Sequence, residues 1–148
     1  AEWIVTEWLS LLDSYKDEKH EALIVCHGKR EYLLFRQHTD KIYYTNDSKA
    51  LLEFYSECSL VIGARLHAVL PAFGMGKIKT VLIRIDTRGS AVEHFKSIPI
   101  VSISRWSVEA VRKAASQAKV SSAKELNTYK AKYQELFVQW FGDLICKM

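Results

Sequence analysis

The strand-to-helix junction that decides the fold is LVIGARLH, residues 60–67. Leu60–Gly63 is a continuous apolar run, which is typical of a strand that is buried on both faces of a sheet. Gly63 allows the chain to turn closely, and the following pattern predicts a helix over Leu66–Phe73. The junction therefore predicts a strand inside a parallel sheet, with a helix packed directly behind it.

The same succession of a short apolar run and a helical segment recurs on both sides of this junction. The predicted strands are Ala22–Cys26, Lys41–Thr45, Leu60–Gly63, Thr80–Ile85 and Ile100–Ile103. The predicted helices between them are Glu31–His38, Ser48–Glu57, Leu66–Phe73 and Ala91–Lys96. Such alternation requires right-handed crossovers. The fold class is therefore α/β, with a parallel sheet of about five strands and helices on both faces.

Helical segments flank this core, which spans residues 21–105 of a single domain over residues 1–148. Apolar residues between Trp3 and Tyr15 recur at helical spacing, and Ser107 can cap a helix after the last strand. Within the helical tail, residues 107–148, a stripe of large side chains between Leu126 and Ile145 predicts a long C-terminal helix. This stripe fits a helix packed on its own domain and equally one that reaches a second domain.

Composition narrows the classes of protein that the chain can belong to. A chain of 148 residues fits one domain, and it has no run of about 18 apolar residues that would cross a membrane. Three widely spaced cysteines argue against a disulfide framework and against a zinc module, so we expect a reducing, cytoplasmic setting and no metal.

The second half of the chain is basic. Residues 77–148 carry 13 Lys and Arg against 6 Asp and Glu, but these basic residues are spread along the predicted helices. That spread favours a solvated face over a nucleic-acid site.

The candidate site lies at one edge of the predicted sheet. Ligands of open parallel sheets bind beyond the carboxyl ends of the strands, near the switch in strand order. Among the polar or turn-forming residues at the ends of the predicted strands, the candidate site residues are His27, Gly63, Arg65, His67, Asp86, Arg88 and Ser104. Helix N-termini and arginines gathered at one edge predict an anion site, because backbone N–H groups and guanidinium groups both bind phosphate or carboxylate.

Arg65 and His67 are the sharpest pair in this set. An arginine that is always charged, beside a histidine that can give or take a proton, suits the binding and protonation of a phosphorylated donor. By spacing alone, Arg-x-His at the start of a helix is also compatible with a purely structural role. Likewise, His27 can be an exposed loop residue, and Arg88 can pair only with Asp86.

The segment CSLVIGARLHA, residues 58–68, resembles the signature of polysaccharide pyruvyl transferases, which is an apolar strand, Gly, one or two residues, and Arg-Leu-His. These enzymes resemble GT-B glycosyltransferases, with two Rossmann-like domains around a cleft, and they transfer a pyruvyl group from phosphoenolpyruvate to a sugar hydroxyl as a ketal. The resemblance implies that Arg65 binds the anionic groups of the donor and that His67 is an acid/base. It also implies that the chain is the C-terminal, donor-binding half, with an N-terminal Rossmann-like domain as partner.

Two weaker matches extend the resemblance over roughly residues 20–105. The run Ala22–Cys26 followed by His27 is similar to a family strand that ends in His, and Asp86-Thr87-Arg88 is similar to an Asp-x-Arg turn of some members. Arg88 stands where many other members carry a Lys. The family's role in cell-surface polysaccharide synthesis implies a saccharide acceptor, no cofactor, and peripheral membrane association through a lipid-linked acceptor.

Two other functions remain open from the sequence. A GT-B glycosyltransferase that uses a nucleotide-sugar would need a carboxylate for the ribose, and only Asp47 and Asp86 stand at the strand ends. A non-catalytic anion-binding or interaction module would keep the fold with an incomplete site.

Overall fold

The computed structural model of the chain describes residues 2–16 and 19–146, with the side chains of residues 4–16, 19–132, 134 and 135. The α-helices are α1 Glu2–Asp13, α2 Lys29–Phe35, α3 Ser48–Ser56, α4 Leu66–Gly74, α5 Val108–Gln117 and α6 Ala123–Cys146. The strands are β1 Ile24–Cys26, β2 Ile42–Tyr44, β3 Leu60–Gly63, β4 Lys79–Arg84 and β5 Ile100–Ser102. Two short 3-10 helices follow β4 and β5, at Thr87–Val92 and Ile103–Arg105.

The five predicted strands are confirmed, and all of their pairings are parallel, but they do not form one hydrogen-bonded sheet. β1 pairs with β2, with Ile24 opposite Ile42. β4 lies between β3 and β5 in a separate three-stranded sheet. Within residues 2–16 and 19–146 no backbone ladder joins β1 to β3. The prediction of a single sheet of about five strands is corrected to a two-stranded and a three-stranded parallel sheet.

The seam between β1 and β3 is closed by side chains. Val25 of β1 packs against an apolar cluster that includes Val61 of β3, Tyr55 of α3 and Ala68 of α4. No backbone hydrogen bonds join β1 to β3 in the described part of the chain. At their carboxyl ends the two strands are therefore linked by contacts between the side chains of the residues that follow them. These are the residues of the candidate site.

Helices cover both faces of the three-stranded sheet, as predicted. Along β4, Val81 and Ile83 pack against a cluster with Leu11 of α1 and Val111 of α5. The alternate residue, Leu82, packs on the opposite face with Phe73 of α4. The side chains of Val81, Leu82 and Ile83 are all buried. This explains why the sequence of β4 is a continuous apolar run rather than an alternating one.

The predicted helix over Ala91–Lys96 is wrong. The structure has a 3-10 helix over Thr87–Val92 followed by turns, because the Asp86 carboxylate accepts the N–H of Arg88 and starts the turn early. Phe95 then turns inward and is buried. Pro99 also disfavours a helical conformation at the residue before it. In addition, α2 begins at Lys29, two residues before the predicted start, with Gly28 as its N-cap.

The predicted long C-terminal helix is confirmed as α6, and its first turns pack on their own domain. The Glu125 carboxylate accepts hydrogen bonds from the N–H and hydroxyl of Ser97, at 3.1 and 2.6 Å. The Tyr129 ring contacts the rings of Phe73 and Phe95. The later part of the predicted stripe, Tyr133 and the residues from Leu136 onward, lies outside the side chains that the structure describes. Over the described residues, no helix combines the length and apolar character that a membrane crossing requires.

Candidate anion-binding site

The turn from β3 into α4 is close because its first residue has no side chain. A methyl group on Gly63 would lie 3.0 Å from Val69 Cγ2 and 3.3 Å from Ala68 Cβ, so α4 packs tightly against the end of β3. Arg65 is the N-cap residue of α4 in an extended conformation, and its side chain does not cap the helix. The N–H of Ala68 already donates to the carbonyl of Arg65 at 3.1 Å, whereas the first two N–H groups of α4, those of Leu66 and His67, have no side-chain cap and can donate to an incoming acceptor.

Arg65 is held across the seam by Glu31. The Arg65 Nη2 donates to Oε1 of Glu31, which lies in the first turn of α2. The second carboxylate oxygen of Glu31 accepts the backbone N–H of His27 at 2.9 Å. One carboxylate thus connects the end of β1 to the start of α4.

His27 and His67 meet at the same seam. Their ring centroids are 4.8 Å apart, and the rings are edge to face at 75°. On its other side, His27 Nε2 shares a hydrogen bond of 2.8 Å with the hydroxyl of Tyr55 from α3. Tyr55 is buried, so its ring is fixed by packing while its hydroxyl fixes the imidazole of His27.

Burial and neighbouring positive charges keep both histidines neutral. Burial, with smaller effects from His67 and Arg65, lowers the pKa of His27 to about 4. The pKa of His67 is also lowered, first by burial and then by the charges of Arg65 and Arg88. Burial raises the pKa of Tyr55 to about 12, so that its hydroxyl keeps its proton. Near neutral pH the positive charge of the site therefore comes from the arginines, and a bound anion would raise the pKa of His67.

Asp86 and Arg88 form a pair at the end of β4. Arg88 donates from Nε at 2.9 Å and from Nη2 at 2.5 Å to one carboxylate oxygen of Asp86. These hydrogen bonds lower the pKa of Asp86. Both residues are exposed. Arg88 is paired, yet its charge still acts on His67, which brings the loop after β4 into the electrostatic surroundings of the site.

A model of the family described as "Polysaccharide pyruvyl transferase" matches residues 4–77, which is half of the chain. The chain belongs to the polysaccharide pyruvyl transferase family. The matched segment runs through α1, both strands of the seam and α4, and it includes Arg-Leu-His at residues 65–67. It ends before Asp86, Arg88 and Ser104. No significant match was found among curated proteins or among solved structures.

In this polysaccharide pyruvyl transferase family member, four of the seven predicted site residues come together, Asp86 and Arg88 form a separate pair after β4, and Ser104 lies apart from both. His27, Gly63, Arg65 and His67 meet at the seam. By contrast, Ser104 is exposed beyond β5, with its hydroxyl 3.0 Å from that of Ser102, and among the described residues Ser102 is the partner of its hydroxyl. The described residues contain no group of three metal-ligating side chains.

Two residues at the seam were missed from the sequence. Glu31 was assigned only to a predicted helix, although a Glu in the first turn that reaches back to a preceding N–H is a known capping arrangement. Tyr55 follows the helical spacing of apolar residues in α3, and nothing local shows that its hydroxyl points to His27.

Proposed function

We propose that the chain is the donor-binding domain of a polysaccharide pyruvyl transferase, acting on phosphoenolpyruvate. The observation that carries this proposal is the juxtaposition of Arg65 with the neutral pair His27 and His67 at the open N-terminus of α4. The rest of the assignment is a Rossmann-like domain that forms the C-terminal half of a GT-B-like enzyme. It rests on family membership and on the parallel α/β architecture.

The donor's charge fits this edge of the fold. Phosphoenolpyruvate carries a phosphate and a carboxylate on the same carbon of a small skeleton. The guanidinium of Arg65 can bind one of these groups with two parallel N–H donors, and the first N–H groups of α4 can bind the other. Arg88 lies on the β4 side, where it is paired with Asp86 and its charge acts on His67.

The reaction needs one proton at carbon and two oxygen–carbon bonds. His67, once protonated, would give its proton to the methylene carbon of the enolpyruvyl group, which becomes a methyl group. Two sugar hydroxyls attack the central carbon, and the carbon–oxygen bond to phosphate breaks. Of the two hydroxyl protons, one restores His67 and the other leaves with inorganic phosphate, so the sum of reactants and products balances.

Donor binding would also prepare the acid. In the free chain the pKa of His67 is lowered by burial and by Arg65 and Arg88. A multiply charged anion beside these groups offsets their positive charge and raises the pKa of His67. The histidine would then take up a proton when the donor binds, so the proton and the group that receives it reach the site together.

The acceptor side is assigned to the partner domain. We propose that an N-terminal Rossmann-like domain binds the saccharide and supplies the base for its hydroxyls, in cytoplasmic synthesis of a cell-surface polysaccharide. A lipid-linked acceptor would bring the enzyme to the membrane surface, and nucleic acid has no part in this function. Because the proposed donor contacts all lie on this chain, the domain alone should bind the donor.

Calorimetric titration with phosphoenolpyruvate, inorganic phosphate and uridine diphosphate tests the proposal. The chain should bind phosphoenolpyruvate more tightly than phosphate, and Arg65→Ala should abolish that preference. Arg36→Ala, which removes an exposed arginine at the opposite end of α2, should leave it unchanged. Binding of uridine diphosphate alone would identify a nucleotide-sugar enzyme instead. The absence of binding by any of the three would identify a module without a donor site.

A further inference from the structure

Glu31 places a carboxylate on the guanidinium of Arg65, the group that is proposed to bind the anionic donor. Its carboxylate is bonded to the Arg65 guanidinium, while its second oxygen is held by the N–H of His27. The side chains of Arg65 and Glu31 are 49% and 33% exposed, so an ion from solvent can reach the pair. The guanidinium of Arg65 is therefore already paired with an anionic group of the same chain.

The capping contact with the N–H of His27 does not require a charge, although the dipole of α2 favours a carboxylate in its first turn. The N–H of His27 needs only an acceptor, which a neutral amide oxygen at the same position would supply. The charge acts on Arg65. Among the described contacts of the Arg65 side chain, Glu31 is its carboxylate partner.

An external anion must therefore compete with a carboxylate of one negative charge. When a monoanion replaces the Glu31 carboxylate, the charge beside Arg65 stays the same. The net free energy of binding is therefore small. A dianionic phosphate, or a ligand with two anionic groups, brings more charge than Glu31 offers and can also use the N–H groups of α4. The internal ion pair raises the threshold for binding by weakly charged ligands.

We propose that Glu31 is a specificity-determining residue, an internal counter-ion that restricts Arg65 to multiply charged anions. This inference rests on the proposed function in taking the same site as the donor site, and it adds the rule by which that site selects its ligand class. When the ligand binds, the Glu31 carboxylate releases the guanidinium of Arg65 but still accepts the hydrogen bond from the N–H of His27.

The direct test compares Glu31→Gln with the wild-type chain, since glutamine keeps the acceptor for His27 and removes the charge. The affinities for acetate, inorganic phosphate and phosphoenolpyruvate are measured by calorimetry at constant ionic strength. Acetate should bind about two- to fivefold more tightly to Glu31→Gln, the effect of one partly screened charge pair, and phosphate should gain at least as much because it displaces the same carboxylate. The matched control is Glu53→Gln, which removes an exposed carboxylate of α3 that pairs with Lys49 and should change neither affinity.

Four results are decisive. Unchanged or weaker acetate binding in Glu31→Gln overturns the inference, as does an equal gain in Glu53→Gln, which would reflect net charge alone. If phosphoenolpyruvate binds no better than phosphate while acetate binding still rises in Glu31→Gln, the proposed donor is wrong and the role of Glu31 stands. If phosphoenolpyruvate is preferred and acetate binding is unchanged, the donor assignment stands and the role of Glu31 falls.

A measurement on the wild-type chain covers the case in which Glu31→Gln does not fold. The carbon-13 resonance of the Glu31 side-chain carboxyl should shift as phosphate is added, because the Arg65 bond is released, while the amide resonance of His27 should keep the signature of a bonded N–H. A carboxyl resonance that does not respond to phosphate at concentrations that saturate Arg65 overturns the inference.

Discussion

Replacement of Gly63 by alanine should destabilise the fold and disorganise the site together. The added methyl group would lie 3.0 Å from Val69 Cγ2 and 3.3 Å from Ala68 Cβ, and both neighbours are buried side chains of α4. Neither can turn away into solvent, so α4 must move outward by a few tenths of an ångström. Overpacking of this kind costs about 1–3 kcal/mol of unfolding free energy. The corresponding loss in Tm is roughly 2–4 °C for each kcal/mol in a chain of this size.

Gly74, at the other end of α4, offers a control with the opposite expected sign. A methyl group there would lie 3.8 Å from Tyr129 Cε1, an ordinary van der Waals contact. Alanine also loses less backbone freedom than glycine when a helix forms, so Gly74→Ala should stabilise the chain by about 0.5 kcal/mol.

The assay is urea denaturation of both variants, followed by a phosphate titration. Gly63→Ala should lower the midpoint and weaken phosphate binding, because the displaced α4 carries Arg65 and His67. Gly74→Ala should do neither. If Gly63→Ala unfolds within about 0.5 kcal/mol of the wild-type chain, or if both variants lose the same stability, the close packing of α4 on the end of β3 is not what sets this turn.

Two further predictions concern buried polar groups. The hydroxyl of Thr80 is buried with no hydrogen-bond partner in the described part of the chain, so Thr80→Val should raise the unfolding free energy by about 1 kcal/mol in urea denaturation, and a loss would show that the hydroxyl is satisfied. Acid should destabilise the chain between about pH 6.5 and pH 4: the unfolded state takes up protons near the ordinary histidine pKa of 6.5, whereas the folded pKa of His27 is about 4 and that of His67 is also lowered. This contribution to stability is therefore present above pH 6.5 and is lost as pH falls toward 4. His27→Gln should reduce this pH dependence in urea midpoints measured from pH 7.5 to 4. The control His38→Gln, at an exposed position, should leave the pH dependence unchanged.

The strands were predictable because burial on both faces leaves a mark in the local sequence. Leu60–Gly63 matches β3 residue for residue, and the other four strands differ from their predicted limits by one or two residues at either end. The helix predicted over Ala91–Lys96 failed for a local reason. The side chain of Asp86 captured a backbone N–H and set a tighter turn, which apolar spacing does not reveal.

The missing ladder between β1 and β3 could not be predicted, because it depends on how two units pack rather than on either strand. Contacts between residues far apart in the sequence are hidden in the same way. Arg65 and His67 could be identified because they belong to one contiguous motif, whereas Glu31 and Tyr55 do not. Glu31 lies 34 residues from Arg65, and Tyr55 lies 28 residues from His27. Only the folded arrangement makes each pair visible.

The open seam between β1 and β3 has a consequence for how this family member tolerates mutation. In many enzymes the active-site residues are a strain on the fold, and their replacement raises stability at the expense of activity. Here Arg65 and His27 also link the two-stranded sheet to the three-stranded one, through Glu31 and His67 and beside the apolar contacts of Val25, where no backbone ladder joins the sheets in the described part of the chain. Substitution of either residue should therefore also lower the stability of the fold. At this edge the loss of a candidate-site side chain should cost stability rather than raise it, because these residues are part of the framework that joins the two sheets.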